Sequence, residues 1–315
     1  MRLMKFVGGL ALLGVAMGAV ARLPPTEDPT LFSEAFFDAG HVPMFLVFTL
    51  IVLWLARMAF PEPPVRKYLV AGALVVLAGL GTEFVQKFVA RDAGWTDFFR
   101  DLLGGGAALL LALAIENRRP VVKAVSVLGA LALIGVGLAE LVSVHLDYRG
   151  RDAAFPLLAG FEESWEPRFV HGHDADLEPV AAPAEWTSAA GGIVGRLDTH
   201  VADYPSLSIE EPFPDWSEFD VLVFEVWSDL ERSIDLWVRV HDRAHDGAFS
   251  DRYNAAFTIA PGSNEVVVPL REVQAAPRDR ELDLQHVDGI AFFFERPSGP
   301  RRLWFRNLRL ERAGS

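Results

Sequence analysis

Residues 121–144 read VVKAVSVLGALALIGVGLAELVSV, and residues 145–152 read HLDYRGRD. The first stretch carries a lysine near its start and a glutamate near its end and is otherwise apolar or small. It has the length that a helix needs, about 20 residues, to cross the hydrocarbon core of a bilayer. The second stretch returns at once to charge. On the N-terminal side of this boundary the chain is a succession of apolar runs, and beyond it the chain is polar, acidic and rich in turn residues. The boundary therefore separates two unlike units, 1–149 and 150–315, with a short tether expected at 150–157.

Working back from that stretch, apolar runs fall at 6–21, 41–55, 68–89, 98–115 and 121–144. Five consecutive runs cannot be buried by a domain of this size, so the expectation is a transmembrane helical bundle of five spans. The first run follows the basic start Arg2 and Lys5 and ends in Ala19-Val20-Ala21, a pattern shared by a retained anchor and a cleaved signal peptide. Arg2 and Lys5, Arg57, Arg66 and Lys67, and Arg118, Arg119 and Lys123 occupy alternate connections. Placing them in the cytoplasm satisfies the positive-inside rule and puts everything after His145 outside. The expected location is the bacterial cytoplasmic (inner) membrane, multi-pass, with the C-terminal unit extracytoplasmic.

The chain has a net charge of −13, most of it in the C-terminal half, which argues against nucleic acid as a partner. It has no cysteine, which excludes disulfides, thiolate metal sites and cysteine nucleophiles.

With this topology drawn, ionisable residues gather at the outer ends of the helices. Asp38 and His41 stand at the entrance of the second span, Glu83 and Gln86 share a face of the third, Arg91 and Asp97 lie in the loop that follows, and Asp101 comes one turn into the fourth. Carboxylates at that depth are costly and are usually paired or functional. The competing reading is of interface anchors, with Arg91 paired to Asp97. The order Asp38-x-x-His41, Glu83-x-x-Gln86, Arg91, Asp97, Asp101 and Gly104 resembles the pattern of VanZ-like membrane proteins over about residues 35–116. The chain departs from that family in having Asp101 where Asn is common and Ala39 where Lys often follows the first Asp. What the resemblance implies is an envelope protein, from a family whose founding member is associated with glycopeptide (teicoplanin) resistance, without an established reaction. Were the cluster catalytic, His41 or Glu83 would serve as base and Arg91 as anion clamp at a lipid headgroup, with Gln86, Asp97 and Asp101 completing the site. No H-E-x-x-H motif or phosphate loop accompanies these residues.

Beyond residue 157 the pattern is of short strands broken by Gly, Pro, Asp and Asn. Residues 234–241 alternate cleanly, with Ile234, Leu236, Val238 and Val240 on one face and Asp235, Trp237, Arg239 and His241 on the other. Further strands are expected at 219–227, 255–259, 265–270, 289–294 and 303–310, with a turn at Pro261-Gly262-Ser263-Asn264. The expectation is an all-β sandwich of the jelly-roll type. Gly160-Phe161-Glu162, Tyr204-Pro205-Ser206-Leu207, Asp215-Trp216-Ser217, Arg239-Val240-His241-Asp242 and the closing Leu303-Trp304-Phe305 resemble the galactose-binding-like sandwiches, carbohydrate-binding modules among them, over about 157–312.

Trp237 and Trp186 are the candidate sugar platforms, whereas Trp216 and Trp227 are expected in the core. His241, Asp242, Arg243 and His245 form the densest polar cluster, suited to a sugar or to calcium, or else a plain solvated loop. In the helical cluster Asp97, Asp101 and Glu83 are of a type that could hold a divalent cation, and the sequence names no cofactor. The expected function is an integral envelope protein presenting a carbohydrate- or polymer-binding sandwich, with membrane lipid and an envelope glycan or lipid-linked glycan as partners. The alternative is a membrane enzyme acting on a lipid-linked or phosphorylated envelope substrate at the helical cluster.

Overall fold

The computed structural model describes residues 2–20, 29–60, 65–86 and 95–312. It divides into two compact units, Met1–His145 and Leu146–Ser315, which are taken separately.

The first unit contains helices α1 (Arg2–Val20), α2 (Leu31–Ala39), α3 (His41–Ala59), α4 (Val65–Gln86), α5 (Trp95–Glu116) and most of α6 (Pro120–Ala154). Among the described residues, 4 helical segments are long and apolar enough to cross a membrane, against the five spans expected: Leu31–Ala59, Val65–Thr82, Trp95–Glu116 and Pro120–Ala154. The apolar stretch of α1 counted in the same way, Met4–Gly14, falls short. The second expected span is longer than its apolar run because Thr30 and Ser33 form a reciprocal capping box that starts α2 ten residues before His41. Phe45, Phe48, Val52, Ala71 and Val75 make the core between α3 and α4. Close approach of α3 and α5 depends on Gly104, where an added Cβ would meet the Val42 carbonyl, and that of α4 and α5 on Gly105, where it would meet Val75 Cγ1 at 2.5 Å. At the opposite end of these helices Lys67 Nζ donates to both oxygens of Glu116 at 2.5 Å, and the Tyr68 hydroxyl donates to Glu116 at 2.9 Å.

The second unit opens with the last turns of α6. The expected tether is helical as far as Ala154, and this helical end packs on the sandwich: Asp147 accepts from Arg168 at 2.5 Å, and Tyr148 meets Phe169 edge-on at 5.1 Å. The strands are β1 (Leu157–Ala159), β2 (Val170–His173), β3 (Ala175–Ala181), β4 (Ile193–Thr199), β5 (Ser206–Glu210), β6 (Val221–Ser228), β7 (Ile234–Asp242), β8 (Tyr253–Ile259), β9 (Gly262–Pro269), β10 (Val287–Phe293) and β11 (Arg302–Glu311). They form two antiparallel sheets. One has the order β3-β4-β11-β6-β9, with β1 also paired to β11, and the other has the order β2-β5-β10-β7-β8. From β4 to β7 the chain changes sheet at every connection, so the two sheets are wound together as an antiparallel sandwich.

The two sheets meet through aromatic contacts. Phe292 of β10 lies 4.8 Å from Phe224 of β6 and 5.8 Å from Phe305 of β11, ring centre to ring centre. Leu236, Val238 and Val240 are buried in this core, so the opposite face of β7 points away from it. Trp216 is fully buried and its indole N–H donates to the Phe213 carbonyl at 2.7 Å, which fixes the connection into β6.

Candidate functional site

The helical cluster forms where α2 turns into α3 at Gly40 and where α5 begins. Asp97, Arg100 and Asp101 lie within one turn of α5 and so share a face. Asp101 is fully buried; its Oδ1 lies 2.8 Å from His41 Nδ1, which donates to the carboxylate, and its Oδ2 accepts from the Thr82 hydroxyl at 3.4 Å. Arg100 Nη1 bridges Asp97 Oδ1 at 2.8 Å and Asp38 Oδ2 at 2.9 Å. His41 Nε2 stands 3.9 Å from Asp97 Oδ2.

The structure thus brings together His41, Asp97 and Asp101 of the expected set, with Asp38. Arg100 holds the cation position, and neither Arg100 nor Thr82 was singled out in the sequence. Glu83 and Gln86 belong to α4, but their side chains, like the whole of Arg91, lie outside the described residues. A histidine oriented through Nδ1 by a buried carboxylate has the arrangement of a general base, with Nε2 as its working nitrogen. The same contacts equally describe a closed clamp, since Asp38, Asp97 and Asp101 each have a partner.

In the sandwich, the outward face of the five-stranded sheet is built from aligned rows. His171, Ser208, Ala291, Arg239 and Asn254 are register partners across β2, β5, β10, β7 and β8. The next row is His173, Ser206, Phe293, Trp237 and Ala256. A third places Glu210, Gly289 and His241 side by side. Trp237 is stacked on Phe293, with ring centres 6.1 Å apart and planes 20° apart, and Tyr204 meets Phe293 edge-on at 6.0 Å. The floor beside this platform is of small residues, Ser208, Ala291 and Gly289; a Cβ at Gly289 would collide with the His241 ring, so the glycine makes room for that imidazole. Burial, and then the charges of Arg239, His245 and Arg252, hold the His241 imidazole down to about 4, so it is neutral near pH 7.

The other expected sandwich residues are placed differently. Trp186 lies in the core at 1% exposure, packed with Ala189 and Val194, instead of on the polar face. Asp242 is also buried, facing inward from β7. Its oxygens accept from Arg280 Nη1 at 2.5 Å and Nη2 at 2.7 Å, and Oδ2 also accepts from the Asp283 N–H at 2.7 Å. Burial raises its carboxyl, but these hydrogen bonds outweigh burial and hold it below the usual carboxylate range. Arg280 also donates to Asp251 at 2.5 and 3.1 Å. Asp242 is thus a structural anchor that leaves no oxygen edge for a sugar. Arg243 is exposed, 3.8 Å from Asp288. His245 Nδ1 lies 3.2 Å from the Asp251 carbonyl, and its ring lies 5.2 Å from that of His241.

Among the described residues His245, Asp246 and Asp251 are the group that could converge on a cation, with ligand atoms within 4.8 Å of one another. The Arg280 guanidinium already occupies both Asp251 oxygens, so calcium there would have to displace a resident cation. Arg280 itself, in a polar run without periodicity, gave no signal in the sequence.

No family model and no curated protein matches this chain. Among solved structures it is similar over half its length to an exo-beta-agarase, with 14% identity and a TM-score of 0.41, covering 50% of this chain and 26% of that one. It is also similar to a family 11 carbohydrate-binding module from Clostridium thermocellum, solved in complex with a beta-1,3-1,4-mixed-linked tetrasaccharide (16% identity, TM-score 0.38, covering 50% of this chain and 95% of that one). A family 30 carbohydrate-binding module of a cellulosomal cellulase of the same organism has 14% identity and a TM-score of 0.35, covering 47% of this chain and 92% of that one.

Proposed function

We propose that this is a multi-pass protein of the bacterial cytoplasmic membrane that presents a glycan-binding sandwich on the extracytoplasmic side, and that the outward face of the five-stranded sheet is the binding surface. The observation that carries the proposal is the Trp237–Phe293 stack beside a floor of small residues flanked by polar side chains. Sugar rings bind by laying their apolar faces on aromatic surface while their hydroxyls meet polar groups at the rim. Trp237 supplies the platform, Ser208 and Ala291 leave space for a ring beside it, and His171 and His241 offer hydrogen-bonding groups around it.

The test is binding of the full chain, in nanodiscs of zwitterionic lipid, to a panel of envelope and extracellular polysaccharides. Trp237→Ala is expected to weaken binding about tenfold or more, the equivalent of about 1.4 kcal/mol, while the fold is retained because the ring is on the outer face. Binding that survives Trp237→Ala undiminished would move the site elsewhere.

The charge pattern and the helices of spanning length support the membrane location. The absence of cysteine makes it directly testable, because any introduced thiol is unique. A membrane-impermeant maleimide applied to intact spheroplasts is expected to label Glu231→Cys in the sandwich. Arg118→Cys, between α5 and α6, should react only after permeabilisation. The reverse pattern would invert the topology and place the glycan site in the cytoplasm.

The helical unit is read as VanZ-like on the convergence of Asp38, His41, Asp97 and Asp101. Within this proposal the cluster is a clamp that fixes helix ends at the membrane face. Envelope maintenance, including tolerance of glycopeptide antibiotics, is the setting that membership would imply.

A further inference from the structure

Two arginines stand at the β7–β8 side of the proposed glycan face without an acid to balance them. Arg239 and Arg252 are both half-buried, and among the described residues neither forms an ion pair. Of the six buried side-chain nitrogen or oxygen atoms that lack a hydrogen-bond partner among the described residues, four belong to this one patch: Arg239 Nε, His241 Nδ1, Arg252 Nε and Asn254 Oδ1. The patch is contiguous, since Arg239 and Asn254 are register partners on β7 and β8, with His241 two residues on along β7 and Arg252 immediately before β8. Unpaired buried polar groups are uncommon in folded proteins and cost stability, so a cluster of them calls for an explanation.

The electrostatics agree. Burial and the neighbouring Arg252 pull Arg239 below its usual range, and burial pulls Arg252 down as well. The His241 imidazole is depressed partly by the same two cations. Acids stand at the borders of the patch. Asp288 lies 3.8 Å from Arg243 and 4.0 Å from His241, Asp235 accepts from Thr258 at 3.0 Å, and Glu210 is exposed beyond Gly289. A positive patch in a chain of net charge −13 is a local feature with its own cause.

We infer that the ligand of this face is an acidic glycan, whose sugars carry a carboxylate, sulfate or phosphate group held by Arg239 and Arg252 while a ring stacks on Trp237. The inference rests on the reading of the face as a glycan site and narrows it to a ligand class. A guanidinium presents two parallel N–H donors to an oxyanion, which a neutral hydroxyl cannot match. Arg239 stands two residues from Trp237 on one strand, about 7 Å along it. A ring stacked on the tryptophan therefore holds its own substituents, or those of its neighbour, over the arginine. His241 remains for a hydroxyl.

The experiment measures the full chain in zwitterionic nanodiscs against matched polymers: polygalacturonate and alginate beside their carboxyl-reduced neutral forms, and dextran sulfate beside dextran. The expected result is binding of at least one acidic polymer, at least tenfold tighter than its neutral counterpart and weakening as salt is raised. Arg239→Gln should abolish that preference while retaining the wild-type melting profile, since it removes an unbalanced charge. Preference for polygalacturonate or alginate identifies a carboxylate ligand, and preference for dextran sulfate identifies a sulfate-type oxyanion. Equal binding of charged and neutral partners, unaffected by Arg239→Gln but lost in Trp237→Ala, overturns the acidic ligand and leaves the glycan site standing. Binding to no polymer of either kind overturns both.

Discussion

Asp242→Ala is expected to unfold the sandwich, or to bring it close to unfolding, without removing any contact to a ligand. The carboxylate has no exposed side-chain surface and is held by a bidentate Arg280 fork and by the Asp283 N–H. Removing it leaves a guanidinium built to face two acids with only Asp251, and leaves the Asp283 N–H without its acceptor. Breaking a buried pair in this one-sided way costs about 3–5 kcal/mol, a large share of the total stability of a domain. Six of the 8 tryptophans lie in this unit, so the transition is read by intrinsic fluorescence during guanidinium unfolding of the detergent-solubilised chain. Asp242→Asn, which keeps the shape and loses the charge, should fall between wild type and alanine. A midpoint for Asp242→Ala equal to wild type would show that the Arg280 network holds nothing in place. The distinction bears on function, because loss of glycan binding in Asp242→Ala reports the fold, whereas loss in Trp237→Ala reports the site.

His241 and Asp242 both contribute to the acid sensitivity of the unit. His241 is depressed to about 4 in the folded chain from an unfolded value of about 6.5. The unfolded chain therefore binds the extra proton first, and the stability due to the neutral imidazole is present above pH 6.5 and lost as pH falls through 4. Asp242 is also depressed, so its contribution is present above the ordinary carboxylate value and lost only at more acid pH. Stability of the sandwich should thus decline in two stages on acidification, and His241→Phe should remove the first of them.

How much of this was legible in the sequence depends on whether a residue's partner lies nearby in the chain. The strand at 234–241 was plain because every second residue is apolar, and the pattern alone put Trp237 and Arg239 on one outward face. Strands β2 to β5 gave a weaker signal. β3 carries Asp176, Glu178 and Pro179, as the outermost strand of its sheet can, and β4 is interrupted by Gly195, where the Phe161 ring lies over the backbone. Trp186 read as exposed because its neighbours Glu185, Thr187 and Ser188 are polar; its burial comes from Val194 and the Trp227 and Trp304 rings across the sheet. Asp242 continues the alternation inward from Val240, which already signalled burial, but Arg280, the group that makes the burial tolerable, is 38 residues away. In the helices, the face shared by Asp97, Arg100 and Asp101 follows from spacing, whereas the pairing of Arg100 with Asp38 requires two helix ends to meet.

That meeting depends on one glycine, and Gly104→Val is expected to disrupt the helical unit more than any other small substitution there. A Cβ at this position runs into the Val42 backbone carbonyl, with the Val42 carbonyl carbon at 3.0 Å and Cα at 3.1 Å. A flexible side chain can swing aside from such a contact, but a helix backbone cannot, so α3 and α5 must separate. Overpacking costs about 1–3 kcal/mol where neighbours can adjust, and a collision with backbone belongs at the top of that range or above it. Separation here has a second consequence. His41 precedes Val42, and Asp101 lies one turn before Gly104, so parting the helices also stretches the 2.8 Å His41–Asp101 contact and strands a fully buried carboxylate. The two costs add in the same direction. In a fluorescence-detected size-exclusion assay of the detergent-solubilised chain, Gly104→Val should lose the monodisperse peak and Gly104→Ala should lower its thermal midpoint. Gly135→Ala, in α6, is the control, because a Cβ there meets nothing within 4 Å. It should match or exceed wild type, since alanine favours a helix over glycine by about 1 kcal/mol. If Gly104→Val and Gly135→Ala behave alike, α3 and α5 do not approach as described and the His41–Asp101 pairing loses its support.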